Sequence, residues 1–167
     1  MFISGFSVLN PLTNYQLKHT LSIDSENFSL GVSDIFLSTQ SKKRDVIAFL
    51  EELKALLGND DFNIDTDLVM IRKNKKDDME HSTPYTLLDL DYDTEDVVER
   101  LKELTVEEYS ETKFDKDDLN PPLLFVFGKV INRKLVYVKL KIKGNRRKHV
   151  LCVSFHYARD KMDFPYA

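Results

Sequence analysis

From Leu123 to His156 the chain alternates apolar and polar residues over LLFVFGKVINRKLVYVKLKIKGNRRKHVLCVSFH, a period of two that predicts strands. β-Branched and aromatic residues fill the apolar positions, and Asn132-Arg133 and Gly144-Asn145 interrupt the run, so the stretch reads as a three-stranded meander. With Asn132 and Arg133 as a two-residue turn, Ile131 pairs with Lys134, Gly128 with Tyr137 and Val126 with Lys139. Keeping the apolar residues together across the longer second turn pairs Tyr137 with Ser154 and Lys139 with Cys152. One face then gathers Phe125, Phe127, Ile131, Val136, Val138, Leu140, Ile142, Leu151, Val153 and Phe155, a core surface for helices to cover. The other gathers Val126, Gly128, Tyr137, Lys139, Lys141, Cys152, Ser154 and His156.

The period changes upstream. Val46, Ile47, Phe49, Leu50, Leu53, Leu56 and Leu57 recur at helical spacing from Lys42, with Glu51, Glu52 and Lys54 on the other side and Gly58 at a natural stop. That is an amphipathic helix of about four turns at roughly 3.6 residues per turn. Leu68 to Ile71 reads as a short strand followed by an exposed charged loop, RKNKKDD. Thr94 is placed to cap the helix EDVVERLKEL, and Thr105-Val106-Glu107-Glu108 has the spacing of a capping box. Asp117 to Pro122 reads as a loop. Residues 1 to 40 show no sustained period, which leaves short strands and an extension both open.

Length and composition narrow the class. At 167 residues and 42% hydrophobic content the chain can bury a core without disulfides or metals. Its single cysteine, Cys152, excludes an internal disulfide, and His19, His81, His149 and His156 lack zinc-site spacing, which suits a reducing cytoplasm. MFISGFSVLNPL lacks a basic start and is broken by Gly5, Asn10 and Pro11, so neither a signal peptide nor a membrane span is expected. DLDYDTED is acidic but misses the calcium-loop pattern.

Charge is unevenly distributed. Residues 1 to 128 hold 13 Lys and Arg against 26 Asp and Glu, whereas residues 129 to 167 hold 11 against 2. A basic segment on an acidic body fits either a polyanion bound at one place or a solvated strand pair that needs charge for solubility. Tyr137, Lys139, Lys141 and His156 on one face, with Arg146, Arg147 and Lys148 at its end, form a set able to hold an RNA phosphate and move protons.

FVFGKVINRKLVYVKLKI followed by KHVLCVSFHYA resembles the C-terminal meander of the MqsR-like toxins, the motility quorum-sensing regulator family of type II toxin-antitoxin systems. KKRDVIAFLEELKALL, EDVVERLKEL and LTVEEYSE fall in that family's order, so the resemblance covers about residues 41 to 167 and leaves residues 1 to 40 as an N-terminal extension. It implies an α+β fold of RelE type, with helices packed on one face of a small twisted antiparallel sheet. It also implies a toxin that cuts mRNA without a metal or other cofactor and is silenced by a cognate antitoxin. By position, Tyr137 matches the family's sheet tyrosine in a tyrosine-x-lysine context, and His156 stands where the founding toxin has a lysine, as in a histidine-bearing subgroup. Val126 falls near a family glutamine, and a lysine after the short helix falls somewhere in Ser110 to Lys113.

The resulting expectation is an endoribonuclease in which the substrate's 2′-OH attacks the adjacent phosphate. His156 serves as general base or acid, and Tyr137 donates to the leaving oxygen or orients the phosphate. Lys139 and Lys141 stabilise the nonbridging oxygens, where one well-placed donor is worth about 3 to 4 kcal/mol. Arg146, Arg147 and Ser154 join Lys141 as substrate-binding candidates. The alternative is a noncatalytic protein whose basic strand face docks an acidic partner or nucleic acid.

Overall fold

The computed structural model describes residues 38–73, 77–115 and 122–167, an α+β arrangement of helices on one sheet. Residues 1–37 of the expected extension, the middle of the RKNKKDD loop and most of the loop from Asp117 lie outside the described residues. Residues from the end of the expected extension enter the fold as strand β1 (Ser38–Thr39). No helix among the described residues is long and apolar enough to cross a membrane.

The amphipathic stretch forms α1 (Lys43–Leu57), which buries Val46, Phe49, Leu50, Leu53 and Leu57 and stops at Gly58. A one-turn helix α2 (Ile64–Asp67) leads into β2 (Leu68–Met70), the expected short strand. A 3-10 turn (Met79–His81) precedes α3 (Thr83–Leu90), and α4 (Thr94–Lys102) follows. The cap of α4 is Asp93 rather than Thr94: Asp93 Oδ1 accepts from Asp96 N at 3.0 Å, and Asp96 Oδ2 accepts from Asp93 N at 3.0 Å. A carboxylate offers the helix N-terminus a full negative charge where a hydroxyl offers only a dipole. The capping box at Thr105 forms as expected, with Glu108 Oε2 accepting from Thr105 N at 3.0 Å.

Strands β3 (Tyr109–Lys113), β4 (Leu124–Ile131), β5 (Lys134–Lys143) and β6 (His149–Tyr157) complete a six-stranded sheet in the order β1-β3-β4-β5-β6-β2. All neighbours are antiparallel except β2, which runs parallel to β6. Asn132 and Arg133 both take positive φ, 49° and 66°, the left-handed pair that matches a two-residue turn to strand twist. The register of that first hairpin is the one read from the sequence.

The second hairpin differs. Tyr137 faces His156, Lys139 faces Ser154, and Leu140 faces Cys152, so Val153 drops out of the pairing as a bulge. One extra residue reverses the parity below it. Val150 and Cys152 therefore enter the core, while Leu151 and Val153 leave the core face expected for them. Every residue from Val150 to Val153 is apolar, so the hydrophobic pattern alone did not fix which of them would point inward.

Helices α1, α3 and α4 cover the core face, where Phe49 stacks on Phe125 with ring centroids 4.1 Å apart. Beyond the end of β2 the outer edge of β6 is closed by two threonines of α3. Thr83 Oγ1 accepts from Phe155 N at 3.3 Å and Thr86 Oγ1 from Tyr157 N at 3.0 Å. Side-chain hydroxyls thus complete the ladder where no strand does.

Candidate functional site

The sheet face away from the helices carries two cross-strand rows. Glu111, Val126, Lys139 and Ser154 form one, and Gly128, Tyr137 and His156 form the next. The chain after β6 turns back over this face. A Cβ on Gly128 would lie 2.7 Å from Phe164 Cζ and 3.1 Å from Met162 Sδ, so the bare glycine is what lets the tail seat there. Tyr166 anchors its end, stacking on Tyr109 and donating from its hydroxyl to Ser41 O at 2.5 Å.

Between sheet and tail lies a cleft of about 810 Å³. Four of the residues picked out in the sequence line it together: Tyr137, Lys139, Ser154 and His156. Glu111 and Lys113 join them from β3. Lys113 stands in the window expected to hold a lysine, and strand alternation along SETK would have paired it with Glu111 on one face.

Tyr137 and His156 stack, with centroids 5.3 Å apart and ring planes 16° from parallel. His156 Nδ1 lies 2.9 Å from Tyr157 O. A carbonyl only accepts, so Nδ1 carries the proton and a neutral His156 bears its lone pair on Nε2. That is the tautomer a general base requires.

Lys113 Nζ lies over the Tyr137 ring, 5.8 Å from its centroid. Burial pulls the Lys113 pKa down, but the Glu111 carboxylate at 2.8 Å, with help from Tyr137, more than offsets this and leaves it above its ordinary value. Burial also raises the Tyr137 pKa; Lys113 pulls it down and Glu111 pushes it up, with a net rise. At neutral pH the site therefore holds a charged ammonium beside a protonated phenol, two donors suited to an anionic oxygen.

Other expected contacts lie elsewhere. Lys141 is fully buried, its Nζ 2.7 Å from Asp115 Oδ2. Arg147 grips Asp67 with two bonds, Nε to Oδ1 at 2.8 Å and Nη2 to Oδ2 at 2.9 Å. Arg146 is exposed on the β5–β6 loop, outside the cleft lining, and the neighbouring Lys148 pairs with Glu52 of α1. Val126, at the position matched to a family glutamine, is fully buried between Glu111 and Lys139. Sequence reasoning missed His81 and Asp78, which also line the cleft; they belong to a turn that no periodicity marks.

Compared with protein-family models, curated proteins and solved structures, the chain gives no match.

Proposed function

We propose that this chain is the toxin of a type II toxin-antitoxin system, an endoribonuclease that cleaves mRNA by 2′-OH attack in the cytoplasm and is held silent by a cognate antitoxin. The observation that carries the reading is the Tyr137–His156 stack with the Lys113 ammonium over the tyrosine ring, open to a cleft large enough for a nucleotide. His156 Nε2 takes the 2′ proton while the 2′-oxygen bonds to phosphorus. The bond to the 5′-oxygen breaks with its electron pair on that oxygen, which takes up a proton. The products are a 2′,3′-cyclic phosphate and a 5′-OH end. Tyr137, Lys113 and Lys139 meet the charge gathering on the nonbridging oxygens.

Docking through a basic strand face is the weaker alternative, because Lys141, Arg147 and Lys148 each spend their charge on an internal carboxylate. The test is expression of the chain alone in a bacterial host. Growth arrest relieved by His156→Ala and by Tyr137→Phe supports the reading; folded variants that stay fully toxic remove those residues from the mechanism.

A further inference from the structure

A second imidazole lines the same cleft. His81 closes the 3-10 turn Met79–His81, and its Nδ1 lies 2.6 Å from Asp78 Oδ1. An ionised carboxylate only accepts, so Nδ1 carries a proton, and the chemistry of His81 toward a ligand is left to Nε2, as for His156. Arg159 Nη1 stands 3.8 Å from the other Asp78 oxygen and holds the carboxylate from the tail side.

The turn is fixed. Ser82, buried, donates from both its N–H, at 3.0 Å, and its hydroxyl, at 2.6 Å, to Met79 O. The turn packs directly against β6. Thr83, two residues after His81, accepts from Phe155 N, the residue before His156. One hydrogen bond thus ties the two histidine-bearing segments together at the cleft.

Around His81 stand Asp78 and Glu80 of its own turn, Tyr85 of α3, Lys134 of β5 and Tyr157 of β6. The cleft it shares with His156 adds Lys73 after β2, Arg159, Asp160, Lys161 and Asp163 of the tail, and the β3 and β5 groups described above.

Resting on the ribonuclease reading, we propose that His81, oriented by Asp78, is a second catalytic residue, the general acid of the cleavage. As His156 Nε2 takes the 2′ proton and the new bond to phosphorus forms, the bond to the 5′-oxygen breaks. Its electron pair stays on that oxygen, which receives the Nε2 proton of a His81 imidazolium. The two rings leave the step with protonation states exchanged and are reset through solvent. Tyr137 and Lys113 are then phosphate-holding groups.

The test compares two oligoribonucleotides, identical except that one carries sulfur in place of the 5′-oxygen at the scissile phosphate. A thiolate leaves without a proton. Loss of the acid is expected to slow cleavage of the oxygen substrate about 10²- to 10⁴-fold in His81→Ala, and to be regained to within about tenfold of the parent on the sulfur substrate. His156→Ala should stay impaired on both. Asp78→Asn should show a smaller loss of the His81 kind, and His81→Gln, which keeps a donor toward Asp78, the full pattern with unchanged thermal unfolding. Parent-like cleavage of the oxygen substrate by His81→Ala, or an equal loss on both substrates in the folded His81→Gln variant, overturns the assignment while leaving the ribonuclease reading standing. A parent chain that cleaves neither substrate overturns both.

Discussion

Tyr137 and His156 face each other across β5 and β6 and stack at 5.3 Å, so each ring holds the other in one orientation over the cleft. Such a contact contributes about 0.5 to 1.5 kcal/mol beyond area burial. It also separates the ring's role from the hydroxyl's. Tyr137→Phe keeps the stack and removes only the hydroxyl. Cleavage should fall about 10²- to 10³-fold with circular dichroism and melting unchanged, because a donor toward the reacting phosphate is lost. Unchanged turnover would mean that the phenol serves only the stack.

Asp67 and Arg147 give a pH signature of stability. The Arg147 guanidinium, helped by the Asn63 backbone, holds the Asp67 carboxyl down to about 2. A carboxyl with a depressed folded pKa contributes stability above its unfolded value, near 4, and loses it as pH falls toward 2. Urea unfolding should therefore show Arg147→Ala less stable than the parent at pH 6, with the gap closing between pH 4 and pH 2. A gap independent of pH over that range would show that the pair's ionic character contributes nothing.

Thr86 should behave as part of the sheet although it sits on a helix. It is fully buried and accepts from Tyr157 N. Thr86→Val keeps the shape and strands that N–H, which should cost about 1 to 3 kcal/mol, whereas Thr86→Ser should recover most of the loss. Equal stability of the Val and Ser variants would contradict the edge-closing role.

Cys152 should be silent. Burial pushes its thiol up to about 12, so little thiolate exists at pH 8 and no reagent reaches it. Ellman's reagent should titrate one thiol in urea and none in the folded chain; fast labelling in buffer would place Cys152 at the surface that the simple alternation of β6 implies.

The face of Cys152 separates what spacing dictates in this chain from what it leaves open. Asn132-Arg133 sits between two clear strand patterns, and a two-residue turn permits one register, so Gly128 facing Tyr137 followed from spacing. The β6 run Val150 to Val153 is apolar throughout, and a bulge there costs no apolar burial, so the face of Cys152 was not written in periodicity. The site split the same way. Tyr137, Lys139, Ser154 and His156 share a strand face and were found by alternation. Arg147 and Lys148 met their carboxylates 80 and 96 residues away, partners that local pattern does not reveal. His81 and Asp78 reached the cleft through the packing of a 3-10 turn on β6.

The chemistry of the cut ends tests the central claim most directly. Incubating the purified full chain with a defined mRNA and mapping the new termini should give 2′,3′-cyclic phosphate and 5′-OH ends, lost in His156→Ala. Intact RNA, or ends bearing 5′-phosphate, would contradict it.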